Sequence, residues 1–249
     1  MFGMNDPAQT LLQLERYVED GRMEMSEVMA TQFTEMYLAQ KKRTADAQIM
    51  LVKGLRILCD VFLARGKLKR AVASVKILHR ERKKLIRMLK TGAPQLLEKM
   101  TQPAEDYRRA GKIYATAGKK GAAMKAFATC EKLSSGHVAS AMEACQLLGF
   151  DKKLVARLLS TVDSAGPVIL YNGQFLFQPL NLPEADAQQV QAVLQAAANS
   201  GGGKADECKN IVARITEEIG AIQRGEAAAN SRLEAAMDLL KPQHDYYEY

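Results

Sequence analysis

The side chains of this 249-residue chain that are best placed to do chemistry are cations. The segment from Ala64 to Lys90, ARGKLKRAVASVKILHRERKKLIRMLK, carries eleven Lys/Arg and one acid, Glu81. On a helix, Lys69, Lys76, Arg80, Lys83, Lys84 and Arg87 fall along one side, while Leu68, Val72, Val75, Leu78, Leu85 and Leu89 line another. A positive outer face of this kind has three uses. It can be a solvated face balanced by acids elsewhere in the chain, a dock for a phosphate backbone, with RNA in a larger particle as the first choice, or a contact for an acidic protein or anionic membrane surface. Nucleic-acid readout adds aromatics or Asn/Gln among the cations for stacking and base edges. Here only His79 interrupts the basic run, so a nucleic-acid contact would fall on the backbone and be salt-sensitive and weakly sequence-specific.

Other chemistry finds little support. His79, His137 and His244 have no Cys or carboxylate at a metal-ligand spacing, so no metal site is expected. The run NSGGGKADE has the Gly and Lys of a phosphate loop. It lacks the preceding strand, the spacing between glycines and the Ser/Thr after Lys, and reads as a turn between helices. No arrangement of nucleophile, base and acid is recognisable, and the expectation is a non-enzymatic protein without a cofactor.

Composition sets the frame for these readings. Hydrophobic residues at 47% and charged residues at 25% are ordinary globular values, which argues against general disorder. Ala, Leu, Met, Lys, Glu and Gln dominate and Trp is absent, a bias toward helix. The net charge of +7 is local: residues 51–100 hold 14 Lys/Arg against 3 Asp/Glu, whereas both ends are acidic. No window approaches the ~18 apolar residues of a membrane span, and the first residues lack a secretory pattern. Cys59, Cys130, Cys145 and Cys208 lie far apart at helical core positions and read as small buried hydrophobes. A soluble, intracellular and most simply cytoplasmic protein is expected.

The elements follow from caps and breakers. Asp6-Pro7 starts a helix carrying Leu11, Leu14 and Val18 that Gly21 ends. Ser26 is read as the cap of a longer helix through Met29, Phe33, Met36 and Tyr37, continuing with a kink at Gly54 to Ala64. A second long helix runs from Leu68 to Lys90. Pro103 opens a helical pair ending near Leu133, and His137–Leu148 with Asp151–Val162 forms another, hinged at Gly149. In GPVILYNGQFLFQP, two four-residue β-favouring runs flank Asn172-Gly173, a strong hairpin signal because both residues tolerate positive φ. Leu182-Pro183 begins a further helix. From Ala205 to about Leu240 the pattern fits one helix or a pair broken near Gly225.

The segment Ala104–Leu133, AEDYRRAGKIYATAGKKGAAMKAFATCEKL, also has a repeat pattern. Tyr107, Ala110-Gly111 and Tyr114 on its first helix, with Ala123 and Phe127 on its second, take the large–small–large steps of two helices in close approach. The segment therefore resembles a tetratricopeptide repeat. It departs from that family at Ala110, where a larger residue is preferred, and at Ser135, where Pro is usual. Leu55, Leu58-Cys59, Phe62, Gly66, Ala71 and Val75 echo the pattern 52 residues upstream, an offset that excludes a regular array with the family's period of about 34. The resemblance covers residues 52–162 and implies a surface for binding proteins rather than a reaction.

The resulting expectation is an all-α chain, an irregular α-solenoid or helical-hairpin bundle with one small β-hairpin near 168–177. Its parts are read as long N-terminal helices (1–100), repeat-like hairpins (101–165), a β-hairpin connector (166–182) and C-terminal helices with the tail Asp245-Tyr-Tyr-Glu-Tyr249 (183–249). The favoured function is a scaffold or adaptor within a multi-subunit assembly. Ile169, Tyr171, Phe175 and Phe177 are candidate partner contacts because they are too apolar to leave in water. The alternative is an RNA- or DNA-backbone-binding component using residues 65–90.

Overall fold

A computed structural model describes residues 6–134, 137–177, 186–201 and 203–225. Among the described residues the chain is all-α apart from one two-stranded antiparallel sheet. It divides into two compact units, Met1–Leu133 and Ser134–Tyr249. The boundary falls after the Ala104–Leu133 pair, which packs with the helices before it.

The first unit contains α1 (Pro7–Glu19), α2 (Met23–Ala39), α3 (Ala45–Ala64), α4 (Leu68–Gly92), a 3-10 turn at Pro94–Leu96, α5 (Leu97–Thr101), α6 (Pro103–Thr116) and α7 (Lys120–Leu133). Asp6 caps α1 by accepting from the Ala8 amide, and Pro7 takes the first turn, where its missing N–H costs nothing. The single helix expected from Ser26 to Ala64 is two helices. Ser26 lies inside α2, its hydroxyl donating to the Arg22 carbonyl, and Thr44 caps α3 by accepting from the Ala47 amide. Arg43, in the intervening loop, donates to the Tyr37 carbonyl at the end of α2 (2.8 Å) and to Gln48 Oε1 on α3 (2.7 Å).

Gly54 is therefore no kink. It is where α2 and α3 touch: a Cβ there would stand 2.7 Å from Phe33 Cδ1 and 3.2 Å from Thr34 Cγ2. Gly111 plays the same part between α6 and α7, where a Cβ would stand 2.6 Å from the Phe127 ring. The core of the unit is one cluster running from Leu11 and Leu14 through Phe33, Leu51, Leu55, Val75 and Leu85 to Ala110 and Ile113. The echo residues Leu55, Leu58, Cys59, Phe62, Ala71 and Val75 are all buried, as are Ala123 and Phe127.

The second unit contains α8 (Val138–Leu148), α9 (Lys152–Ser164), β1 (Val168–Tyr171), β2 (Gln174–Phe177), α10 (Ala187–Asn199) and α11 (Ala205–Gln223). His137 Nδ1 accepts from the Ser140 amide to cap α8, and Asp151 caps α9. Asn172 and Gly173 both have positive φ, 47° and 77°, as the two-residue turn requires, and Val168 pairs with Phe177 across the hairpin. Helix α10 starts at Ala187 with Asp186 as its cap; Leu182-Pro183, the expected helix start, lies outside the described residues. Helix α11 ends at Gln223 before Gly225, whose φ is 71°. The later part of that predicted helix and the Asp245–Tyr249 tail lie outside the described residues. Among the described residues, no helix is long and apolar enough to cross a membrane. All four cysteines are buried, and burial pushes the Cys59 thiol far up, away from reactivity.

Candidate nucleic-acid interface on helix α4

Helix α4 sorts its cations by what they face. Val72, Val75, Leu78, Leu85 and Leu89 are buried and Leu68 is half-buried, so the apolar stripe is used in the core. Arg82 occupies a position in that stripe and is only 3% exposed. Its guanidinium donates to Asp106 Oδ2 (3.2 Å) and the Pro103 carbonyl, and lies over the Tyr107 ring at 4.9 Å. Asp106, fully buried, also takes a bidentate pair from Arg56 (2.7 and 3.1 Å) and a bond from Arg109 (3.3 Å). This cluster holds α3, α4 and α6 together.

Two other carboxylates absorb much of the remaining charge. Glu27 on α2 meets Lys67, Arg65 and Arg70. Glu81, 1% exposed, meets Arg43 (2.8 Å), Arg80 (2.9 Å) and Lys84 (3.0 Å) and accepts from Gln48. The hydrogen bonds from Lys67, aided by the charges of Lys67, Arg65 and Arg70, hold the Glu27 carboxyl below its ordinary 4.5 despite burial. Burial is the largest influence on Glu81 and raises it, but hydrogen bonds from Lys84, Gln48 and Arg80 with the Lys84 charge outweigh that and leave it lowered. A depressed folded pKa stabilises above the unfolded value and is lost as pH falls through the folded one. Urea midpoints should therefore drop as pH falls below the ordinary glutamate value of 4.5. Glu27→Gln with Glu81→Gln should flatten that slope; an unchanged slope would show that these carboxylates do not carry it.

Among the described residues, Lys69, Lys76, Lys83, Arg87 and Lys90 are exposed and have no acidic partner. Lys76, Lys83 and Arg87, with Arg80 and Lys84, line an open cleft of about 430 Å³. Lys69 lies outside its wall. His79 and Tyr114 complete the lining. The His79 ring packs on Tyr107 at 4.8 Å, and its Nε2 is buried without a hydrogen-bond partner. Burial, followed by the charge of Arg82, lowers its pKa, with Asp106 opposing, so the imidazole is neutral near pH 7.

Tertiary packing thus redistributes the residues singled out from sequence. Five of the six basic-face residues meet at one cleft, joined by Tyr114, which the repeat pattern had marked as a packing residue. Arg82 could have been flagged by its place among Val75, Leu78, Leu85 and Leu89, where a lone cation implies a buried acid. Tyr107 packs on His79 and Arg82 of α4. In the second unit, Ile169 and Phe177 are buried and Tyr171 and Phe175 half-buried. The hairpin docks on α10 and α11, and the Val168 amide donates to Glu218 on α11. Ile169 and Phe177 are thereby withdrawn as partner contacts, because their own unit covers them.

Compared with protein-family models, characterised proteins and solved structures, the chain matches none. Function has to be argued from the site.

Proposed function

We propose that the chain is a non-enzymatic helical binding protein that docks a nucleic-acid phosphate backbone along α4 as part of a larger assembly. The observation that carries this reading is the row Lys76, Lys83 and Arg87, which no acid among the described residues neutralises, set with Arg80 and Lys84 around one cleft. Cations held in a row neutralise successive phosphates and release their counterions, which makes binding tight at low salt and steeply salt-dependent.

The test is a salt-titrated binding measurement on the wild type and on Lys76→Glu/Lys83→Glu/Arg87→Glu. This variant leaves Arg80 and Lys84 on Glu81, so the buried carboxylate stays compensated. Three lost phosphate contacts should reduce the slope of log affinity against log salt by roughly 2 for a single strand. Unchanged affinity and slope would remove the reading.

A second reading, a scaffold that binds proteins, draws on two features. Gly111 under Phe127 gives the α6–α7 pair the close approach that a tetratricopeptide-like hairpin needs. Leu12 on α1 and Met25 and Val28 on α2 are large apolar side chains more than half exposed. Purification of the full chain with and without nuclease separates the readings: partners that survive nuclease belong to the scaffold, and partners that vanish were bridged by nucleic acid.

A further inference from the structure

We infer that the α4 cleft takes single-stranded rather than duplex nucleic acid, with an unstacked base on Tyr114 and its flanking phosphates on Lys76, Lys83 and Arg87. The inference rests on the backbone-binding reading and adds what kind of strand the site fits. In the linear sequence no aromatic stands among the cations, but folding brings one there. Tyr114, from the last turn of α6, shares the cleft wall with Lys76, Arg80, Lys83, Lys84 and Arg87. Cations tracking a backbone beside an aromatic on which a base can stack are the two parts of a single-strand site. A duplex keeps its base faces inside the stack and cannot offer one to a ring in the cleft wall.

The dimensions agree. Lys76 to Arg87 spans eleven residues of helix, about 16 Å at 1.5 Å per residue, so the row can follow more than one phosphate. A cleft of about 430 Å³ lies in the range that encloses a small organic group, here a base with its sugar. His79 also lines the cleft, but its Nε2 is buried and does not face a bound base. Among the described residues no Asn, Gln or carboxylate side chain lines the cleft, so base edges have few readers and selectivity among sequences should be low.

The experiment measures binding of a fluorescent oligouridine and of a duplex of equal length to the full chain and to Tyr114→Leu and Tyr114→Phe. The wild type should prefer the single strand. Tyr114→Leu should weaken that binding about tenfold or more while leaving duplex binding and the salt slope unchanged, and Tyr114→Phe, which keeps the ring, should bind as the wild type does. Because Tyr114 also packs against the core of the first unit, a readout on the wild type accompanies the variants: photocrosslinking of a 4-thiouridine oligonucleotide should label the α6 peptide containing Tyr114. A duplex bound as tightly as the single strand, or crosslinks confined to α4, overturns the inference and leaves backbone binding intact. No binding of either at low salt overturns the backbone reading itself.

Discussion

Asp106→Ala should destabilise the first unit by about 3–5 kcal/mol, the cost of leaving buried cations without their counter-charge. Arg82 is 3% exposed and the Arg56 side chain 11%, and both direct their guanidinium groups at this one carboxylate. Arg56 also donates to the Thr101 carbonyl (2.6 Å), so it is held in place and cannot swing out to water without breaking the join between α5 and α6. Arg109 would lose less, since its Nε donates to Asp60 at 2.7 Å. A domain has only about 5–15 kcal/mol in total, so the variant should sit near its folding limit. Hydrogen exchange of the α3, α4 and α6 amides would report the change separately from the second unit. Asp106→Asn, which keeps an acceptor oxygen but loses the charge, should fall between the two. A change under about 1 kcal/mol for Asp106→Ala would mean the ion cluster behaves as an exposed one.

Phe127→Ala should cost a comparable ~3–5 kcal/mol, because the ring is fully buried and fills the space above Gly111. The more discriminating experiment joins the two positions. Gly111→Ala alone drives a methyl to 2.6–2.8 Å from three Phe127 ring carbons, an overpacking that costs ~1–3 kcal/mol. In the Phe127→Ala background that methyl enters a cavity, and the gain of replacing Gly by Ala within a helix, about 0.5–1 kcal/mol, should emerge. The effect of Gly111→Ala should therefore change sign between the two backgrounds in a double-mutant cycle read by urea denaturation. Additive effects would show that the α6–α7 contact is looser than 2.6 Å implies.

Both predictions depend on residues whose meaning in sequence was partial. Gly111 and Phe127 were legible as a pair because helical spacing puts small and large side chains at the crossing of two neighbouring helices. Gly54 was misread as a kink because its partner, Phe33, lies across a helix break. That break is set by Thr44 and by the reach of Arg43 to three other elements, not by any Gly or Pro. The hairpin at Val168–Phe177 was legible to the residue, since Asn-Gly dictates its turn locally. Its use was not, because whether Ile169 and Phe177 are exposed or buried depends on α10 and α11, which follow the hairpin in the chain and pack on its two strands.

By itself the sequence determined that this chain is helical, that its charge is concentrated between Arg65 and Lys90, and that those cations occupy one side of a helix. These are matters of period and cap, settled within a few turns of chain. Only the tertiary structure decided which of the cations remain available. Glu27, Glu81 and Asp106 lie up to 50 residues from the arginines and lysines they neutralise, and Tyr114 reaches the cleft from a different helix. Charge compensation and the juxtaposition of an aromatic with cations act over a few ångströms in space, at separations along the chain that spacing does not encode.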